Sequence, residues 1–333
     1  MPSTFIANLH RAVILVPLSL LSASCALGPL AVAFSNAVPA AAQSGFGRLD
    51  PSPPSGITPD AIVQKFGERE SAFARARNEY TYRQTVKIDT INDDTSKIDG
   101  EYLQVNDIVF SDDNTRSEHV KFAPANTISR IIMNQNDFDD IAHRLPFVLT
   151  KADLPQYDLT YLGQQKVDDI PTFVFDCKPR TLEKGKRYFQ GKVWVDQQEY
   201  QIVLINGKSV PDDLRRGHED LSPPYTTYYQ EVDGGNWFPV YTKADATLHF
   251  PPDQGAMAQD VHLRYVVKYE DYKRFHAKSR IIYNGQDLPP SVPGTPPQSA
   301  APGTPTATPQ QDPSALPPPD PDAPALTRPK KPN

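Results

Sequence analysis

The sequence predicts a mainly β (α+β) fold in which one curled antiparallel sheet forms a half-open barrel with an N-terminal helix and a helical lid. Residues 188–208 contain two β-rich runs that meet at a polar turn, a pattern typical of a hairpin. Apolar and polar residues alternate in most other strand segments, so each strand has one apolar face. Only two segments show helical spacing. A sheet of about ten strands with so little cover is expected to curl.

The N-terminal 42 residues are predicted to be a cleaved signal peptide. His10 and Arg11 end a short polar region, residues 12–21 are apolar, and three alanines ending at Ala42 form a small-residue cleavage site. Two alternatives remain open, namely a retained N-terminal membrane anchor and lipid attachment at Cys25. The main prediction is export to the periplasm with cleavage near Ala42.

The folded part of the chain is predicted to span residues 57–284, after a Gly, Ser and Pro-rich linker at residues 43–56. Thr58 can cap a helix that begins with Pro59 and ends near Arg77, with Asp60 in its first turn. Its apolar stripe needs a sheet to pack on. The stripe comprises Ile62, Phe66, Phe73 and Ala76.

Ten strand segments follow this helix, separated by turn-forming residues. The first three read as a meander, and the sequence Asp233-Gly234-Gly235 marks a later hairpin turn. The last strand alternates most regularly. The predicted strands are residues 80–88, 100–110, 115–122, 157–167, 172–177, 187–196, 199–207, 225–232, 237–250 and 261–270.

Residues 124–154 interrupt the strands and are predicted to form a flap over one face of the sheet. Asn136 can cap a short helix at residues 137–145, which Pro146 then ends. Phe138, Ile141 and Leu145 share one side of this helix. These three residues are the predicted lid contacts.

Residues 285–333 are predicted to be a disordered tail. Nearly half of the 35 prolines of the chain lie there, and aromatic residues are absent. Such a segment buries too little apolar surface to offset its ordering entropy. It is expected to serve as a tether or spacer.

Chemistry-bearing motifs are absent, so the sequence predicts neither catalysis nor a cofactor nor a metal site. The chain has no Gly-x-Ser-x-Gly elbow, His-Glu-x-x-His, phosphate-binding glycine loop or Cys-x-x-Cys. Cys177 follows apolar strand residues and is predicted to be a buried small residue. The mild net charge of −6 and scattered basic residues give no nucleic-acid footprint.

A curled sheet with one apolar face predicts an apolar cavity that suits acyl chains. The alternative is an interior filled by the large Tyr and Trp side chains. The predicted cavity-lining residues are Tyr82, Val86, Phe173, Phe175, Trp194, Leu263, Tyr265 and Val267.

Four features together resemble a known family. They are an amphipathic helix leading into Tyr80-Thr-Tyr-Arg-Gln, a mid-chain flap, Gly191-Lys-Val-Trp-Val-Asp196 before an Ile-Val strand, and Asn236-Trp-Phe-Pro239. Residues 57–275 thereby resemble the outer-membrane lipoprotein-sorting proteins, the LolA/LolB-like superfamily. The resemblance implies a half-open barrel with a helical lid, an apolar interior for acyl chains and a periplasmic location. The proline-rich tail departs from the pattern of the sorting chaperones.

The leading functional hypothesis is therefore a non-enzymatic periplasmic carrier whose partner is a lipid or an acylated lipoprotein. Burial of methylene groups, at about 0.8 kcal/mol each, would drive binding. The alternative is an envelope sensor or scaffold that binds a protein partner without lipid. A secreted hydrolase, with an acid pair drawn from separate strands, is a third hypothesis.

Overall fold

The computed structural model describes residues 45–111, 115–212, 223–232, 235–250, 259–274 and 320–328. The predicted signal peptide, with Ala42 and Cys25, lies outside these residues, as does most of the predicted tail. The described part of the chain contains ten strands in one antiparallel sheet. The strands are β1 (Tyr80–Asn92), β2 (Lys97–Phe110), β3 (Arg116–Phe122), β4 (Tyr157–Val167), β5 (Ile170–Pro179), β6 (Tyr188–Asp196), β7 (Ile202–Val210), β8 (Tyr225–Val232), β9 (Asn236–Phe250) and β10 (Gln259–Arg274).

The order of the strands across the sheet is β3-β2-β1-β10-β9-β8-β7-β6-β5-β4. The last strand therefore inserts between β1 and β9, where Val86 is opposite Val267 and Ile88 is opposite Tyr265. β3 and β4 are the two edges and do not pair with each other, so the sheet stays open. The predicted curled, half-open antiparallel sheet is confirmed.

One face of the sheet, called the helix face here, contacts both helices, and the opposite face is called the outer face. The first helix, α1 (Pro59–Arg77), begins as predicted, because the Thr58 side chain accepts a hydrogen bond from the Ala61 amide and Pro59 is the first helical residue. Phe66 packs against Phe175 of β5, with ring centroids 5.9 Å apart. Ile62 and Phe66 are fully buried. This helix also contacts β9, where Phe73 lies against Phe238 with ring centroids 5.0 Å apart.

The second helix, α2 (Gln135–His143), begins two residues earlier than the helix predicted at residues 137–145. Its N-cap is Asn134 rather than Asn136. The Asn134 side chain accepts the Asn136 amide, and Asp137 accepts the Asn134 amide, so a capping box sets the start of the helix. The last turn ends before Leu145, because the Arg144 and Leu145 amides both donate to the Asp140 carbonyl.

The β6–β7 hairpin contains a longer turn than the predicted one, and β7 begins at Ile202 rather than at residue 199. The Asp196 carboxylate accepts the backbone amides of Gln198 and Glu199 at 3.1 and 2.5 Å. These bonds tie the chain into a turn. Tyr200 then adopts a positive φ of 56°, a conformation incompatible with a continuous strand.

Two segments outside the ten strands also pack on the sheet. Residues 45–50 run along the β4 edge, where Gly47 donates to Lys166 and Asp50 exchanges two backbone hydrogen bonds with Gln164. Residues 320–328 lie on the outer face, and their Leu326 is fully buried. These residues belong to the tail that the sequence predicts to be disordered, and here a buried leucine and two ion pairs hold them on the sheet. Proline content alone did not reveal these anchors.

Candidate functional site

The candidate site lies under a flap, defined as residues 131–149, which contains α2. Three side chains of β8 on the helix face donate hydrogen bonds to flap carbonyls. Tyr225 donates to Arg144 at 2.9 Å, Thr227 to Leu145 at 2.9 Å and Tyr229 to Phe147 at 2.7 Å. Their period-two spacing places all three on one face of the strand. They satisfy the carbonyls of the C-cap residue Arg144 and of the non-helical segment that follows α2.

A half-buried ion-pair cluster fixes the other side of α2. Asp140 lies 2.9 Å from the Arg187 guanidinium and 3.3 Å from that of Arg144. The Asp140 and Arg187 side chains are 9% and 12% exposed. Beyond the helix, Phe147 stacks on Phe189 of β6, with centroids 4.5 Å apart. The flap is thus held mainly by polar contacts, with apolar burial concentrated at its C-terminal end.

A cavity of about 30 Å³ lies beneath the flap. Ile131 and Ile141 contribute its flap side. Its sheet side consists of Ile88, Leu263 and Tyr265. This volume suits one or two water molecules, whereas typical ligand pockets measure roughly 300–1,000 Å³.

A second cavity of about 40 Å³ lies on the other side of α2. Ala142 and His143 of the helix face it, and Pro146 follows them. Tyr82 and Tyr272 form part of its sheet side. Two small cavities therefore flank one helix, and the side chains of that helix separate them.

Five predicted cavity residues form one apolar row beneath the flap. Leu263 and Tyr265 line the first cavity, and Tyr82 lines the second. Val86 and Val267 are opposite each other between these positions and are at least 95% buried. Of the predicted lid residues, Ile141 and Leu145 line the first cavity. The row runs along β1 and β10, which the chain order separates by more than 150 residues.

Phe173 and Phe175 are on the helix face but away from the cavities. Phe175 packs under Phe66 of α1, with centroids 5.9 Å apart. Phe173 stacks on Tyr200, with centroids 6.5 Å apart. Near α1, the interior is therefore filled by aromatic side chains, as the alternative hypothesis expected.

Trp194 is on the wrong face for the predicted cavity. The strand register places Trp194 opposite Val174 and its neighbour Val193 opposite Phe175, so Trp194 and Phe175 point to opposite faces. The Trp194 ring lies 5.8 Å from Phe46 on the outer face, and its indole N–H donates to Gln165 at 2.7 Å.

Phe138 also differs from its predicted role. This residue is 37% exposed, and its ring lies 6.0 Å from that of Tyr102. The side of α2 that faces the first cavity contains Asp137, Asp140 and Ile141 instead. Phe138 therefore covers the rim of the site and does not line a cavity.

Several residues of the site escaped the sequence analysis. Ile88 could have been included, because it continues the period-two row of Tyr82 and Val86. Ser209 gives no such pattern, since a serine at the end of a strand is typical of an exposed turn. It is nevertheless buried at the first cavity, and its hydroxyl has no hydrogen-bond partner within the described part of the chain.

Glu70 of α1 connects the helix, the end of the flap and β7. Its carboxyl group accepts the Ile202 amide at 3.1 Å and also the Leu149 amide. Burial raises the pKa of Glu70 to about 8, although these two bonds and Arg77 favour the charged form. The carboxyl group of Glu70 is therefore largely protonated at neutral pH. In this form it connects α1, the end of the flap and β7 without placing a charge in the core.

Cys177 is fully buried, and burial raises the pKa of its thiol. Among the described residues, no group of three or more His, Cys, Asp or Glu side chains is arranged to hold a metal ion. Within the same residues, no helix has the length and apolar character needed to span a membrane.

Comparisons with known proteins give structural similarities only. No family model and no curated protein matches the chain. A DUF1329 family protein from Desulfovibrio piger is 11% identical with a TM-score of 0.33, and covers 66% of this chain and 95% of its own. A "putative outer membrane lipoprotein-sorting protein domain" from Vibrio parahaemolyticus is 12% identical with a TM-score of 0.30. The match covers 66% of this chain and 95% of that domain.

MucB is 10% identical with a TM-score of 0.23, over 63% of this chain and 92% of its own. The structural neighbours thus include a lipoprotein-sorting protein domain, the type of protein that the sequence motifs resemble. With these identities and TM-scores, the chain is similar to these structures, and its function has to be inferred from its own residues.

Proposed function

We propose that the protein is a periplasmic carrier that binds the acyl chains of a lipid or an acylated lipoprotein between the flap and the helix face. The observation that carries this proposal is the pair of cavities on either side of α2, above one apolar row of β1 and β10. The proposed role is binding and transfer, without a chemical step. The periplasmic location rests on the export features of the N-terminal sequence.

Ligand entry requires the flap to move, because both cavities are too small for an acyl chain. Withdrawal of Ile141 and Leu145 would join the two cavities into one cleft, whose floor contains Tyr82, Val267 and Leu263. A binding protein of this kind exposes its apolar floor only when a ligand replaces the flap side chains.

Burial of an acyl chain has to offset the contacts that the flap loses when it opens. Three hydrogen bonds from β8 hold the flap carbonyls, and each contributes a net 0.5–1.5 kcal/mol, so they sum to roughly 2–5 kcal/mol. Ten buried methylene groups would contribute about 8 kcal/mol. An acyl chain of about ten methylene groups therefore offsets the loss of these three hydrogen bonds, whereas a much shorter chain does not.

The cavity also has a polar end. Ser209, Asp137 and Asp140 line it beside the apolar residues. The Ser209 hydroxyl, which lacks a partner in the described residues, can bond a polar group of the ligand. The headgroup is therefore expected near this end and the acyl chain along Val86 and Val267.

Two isoleucine-to-aspartate substitutions in the flap test the proposal. Ile141→Asp places a carboxylate at the apolar cavity, and Ile132→Asp makes the same change at a residue that is 79% exposed. We expect the first variant to bind a dansyl-labelled long-chain fatty acid at least tenfold more weakly than wild type. The second should remain within twofold to threefold, because Ile132 does not line the cavity.

Two measurements complete the test. Fluorescence titration gives the affinities, and native mass spectrometry with lipid extraction identifies any mass that copurifies from periplasm without detergent. Circular dichroism should show that both variants fold. Equal affinities in the two variants, or no uptake by the wild-type chain, would contradict the proposal and favour the envelope scaffold that binds a protein partner.

A further inference from the structure

The outer face holds a second candidate site, which is occupied by residues 320–328, called the strap here. The strap has the sequence Asp-Pro-Asp-Ala-Pro-Ala-Leu-Thr-Arg. It contacts the turn between β4 and β5, the β6–β7 turn, and strands β8 and β9. None of these contacts involves the flap or its two cavities.

Leu326 is the central anchor of the strap. Its side chain is fully buried and belongs to the main hydrophobic core of the protein. Its amide donates to the Asp168 carboxylate at 2.7 Å, and its carbonyl accepts the Asp169 amide at 3.4 Å. The two acidic residues of the β4–β5 turn thus bind the strap backbone on both sides of the buried leucine.

Arg328 is a charged anchor at the C-terminal end of the strap. Its guanidinium donates to the Asp196 carboxylate and to the Gln198 side chain, the latter at 2.6 Å. Asp196 is fully buried. An arginine that pairs with a buried carboxylate is a typical recognition contact, because removing it leaves a buried charge without its cation.

A second ion pair fixes the opposite end with reversed charge. Lys243 of β9 lies 2.9 Å from the Asp320 carboxylate, and both side chains are mostly buried. Between the two charged ends, Gln230 donates to the Ala325 carbonyl at 3.1 Å. The site therefore binds an acidic residue, a leucine and an arginine, in that order along the chain and in one chain direction.

The chain connection does not explain why the strap lies here. Residues 275–319 separate Arg274 from Asp320, and 45 residues can span up to about 150 Å. A linker of that reach allows many positions, so the contacts with the site must select this one. A ligand that is localised by its own contacts should also bind when it is a separate molecule.

From these contacts we infer that the outer face carries a peptide-binding site whose ligand is the strap itself, held in cis and exchangeable with the same peptide in trans. The recognised sequence has an acidic residue, a leucine six positions later and an arginine two positions after the leucine. In the intact chain the tether keeps the strap at a high effective concentration, so the site is normally filled. This inference does not depend on lipid binding under the flap.

A labelled peptide with the sequence of residues 320–328 tests the inference. In the full chain, the double substitution Leu326→Asp and Arg328→Glu removes both anchors and frees the site. Fluorescence anisotropy should show saturable binding of the peptide to this variant. The wild-type chain should bind at least tenfold more weakly, because its own strap competes.

Two matched controls distinguish specific recognition of the peptide from nonspecific binding. Thr327→Asp changes an exposed residue between the two anchors, so this chain should behave like wild type. A peptide that carries Arg328→Glu should bind the freed chain at least tenfold more weakly than the native peptide. Should the double variant fail to fold, Arg328→Ala alone frees the site partly, and binding to it should exceed binding to wild type.

Three outcomes would overturn the inference. One is a folded double variant that shows no saturable binding at millimolar peptide. Another is equal binding by the freed and wild-type chains. The third is equal binding of the native and Arg328→Glu peptides.

Discussion

The two helices on the helix face are attached to the sheet in different ways. In the 19-residue α1, the apolar residues Ile62, Phe66 and Phe73 are at most 1% exposed. The buried residues of the nine-residue α2 are Asp137 and Asp140. One helix completes the core, and the other is held by caps, an ion-pair cluster and hydrogen bonds from β8.

The difference indicates which element can move. Apolar burial is lost in proportion to the area exposed, so lifting α1 would cost many kcal/mol. The hydrogen bonds of α2 can be exchanged for bonds with water at a small net cost. The Asp140–Arg187 ion pair is largely buried, so it is the strongest polar contact that opening has to break. The comparison therefore assigns the structural role to α1 and favours α2 as the element that moves.

The largest expected effect is that of Phe66→Ala in α1. Deleting a fully buried aromatic ring leaves a cavity, and we expect a loss of about 3–5 kcal/mol in the free energy of unfolding, measured by urea denaturation. Ile141→Ala in α2 should cost no more than about 1.5 kcal/mol, because this side chain is only partly buried. A similar loss in both variants would contradict the comparison.

The next effect concerns the pH dependence of stability through Glu70. Its pKa rises from an ordinary 4.5 to about 8 in the folded protein. The folded state therefore holds the proton more tightly, and its stability should fall as pH increases from 4.5 to 8, with the loss complete above 8. On the order of 2–4 kcal/mol should be lost between pH 5 and pH 8 in wild type.

Glu70→Gln removes this titration. Between pH 5 and pH 8, the free energy of unfolding of the variant should therefore fall by about 2–4 kcal/mol less than that of wild type. Urea denaturation of both proteins at pH 5 and pH 8 gives the difference. Parallel pH profiles would mean that the Glu70 carboxyl group is charged in the fold. The link between α1, Leu149 and β7 would then be a buried ionic contact.

A smaller and local effect is expected for Thr227→Val. The substitution leaves the Leu145 carbonyl without its donor, at a cost of roughly 1–2 kcal/mol to flap closure. Hydrogen exchange of the amides at residues 145 and 147–149 should accelerate about tenfold, while the amides of α1 stay unchanged.

Thr226→Val is the matched control for this change. Thr226 is the neighbouring residue on the outer face of β8 and accepts a hydrogen bond from Asn206 instead of contacting the flap. In the Thr226→Val variant, the amides at residues 145 and 147–149 should exchange hydrogen at the wild-type rate. Accelerated exchange in α1 after Thr227→Val would show that the two helices open together.

The smallest effect is predicted for Phe138→Ala. Because this side chain is 37% exposed at the rim of the site, its loss should change the free energy of unfolding by less than about 1 kcal/mol. Thermal and urea denaturation measure this value. A loss as large as that of Phe66→Ala would make α2 part of the core and exclude it as a mobile lid.

The sequence predicted the elements well, because each depends on local patterns. Alternation identified ten strands, and Thr58 followed by Pro59 fixed the start of α1. The start of α2 was placed two residues late, since Asn134 and Asn136 are equally good caps by type. Only the reciprocal bond with Asp137 distinguishes the two caps.

The candidate site was predictable in part. Leu263, Tyr265 and Val267 share a face within one strand, so period two was enough to group them. Trp194 was misplaced because its face depends on how β6 is registered against β5, and a shift of one residue reverses every side chain. Cross-strand register is a long-range property that no single strand encodes.

By itself, the sequence determined most of the secondary structure, the apolar face of the regularly alternating strands and the need for a cover over one side of the sheet. Only the tertiary structure decided that β10 lies between β1 and β9, which forms the row beneath the flap. It also decided that Leu326 and Arg328 bind the outer face. Local propensity acts over a few residues, whereas strand order and docking depend on contacts between residues that are distant in the chain, and those contacts exist only in the folded state.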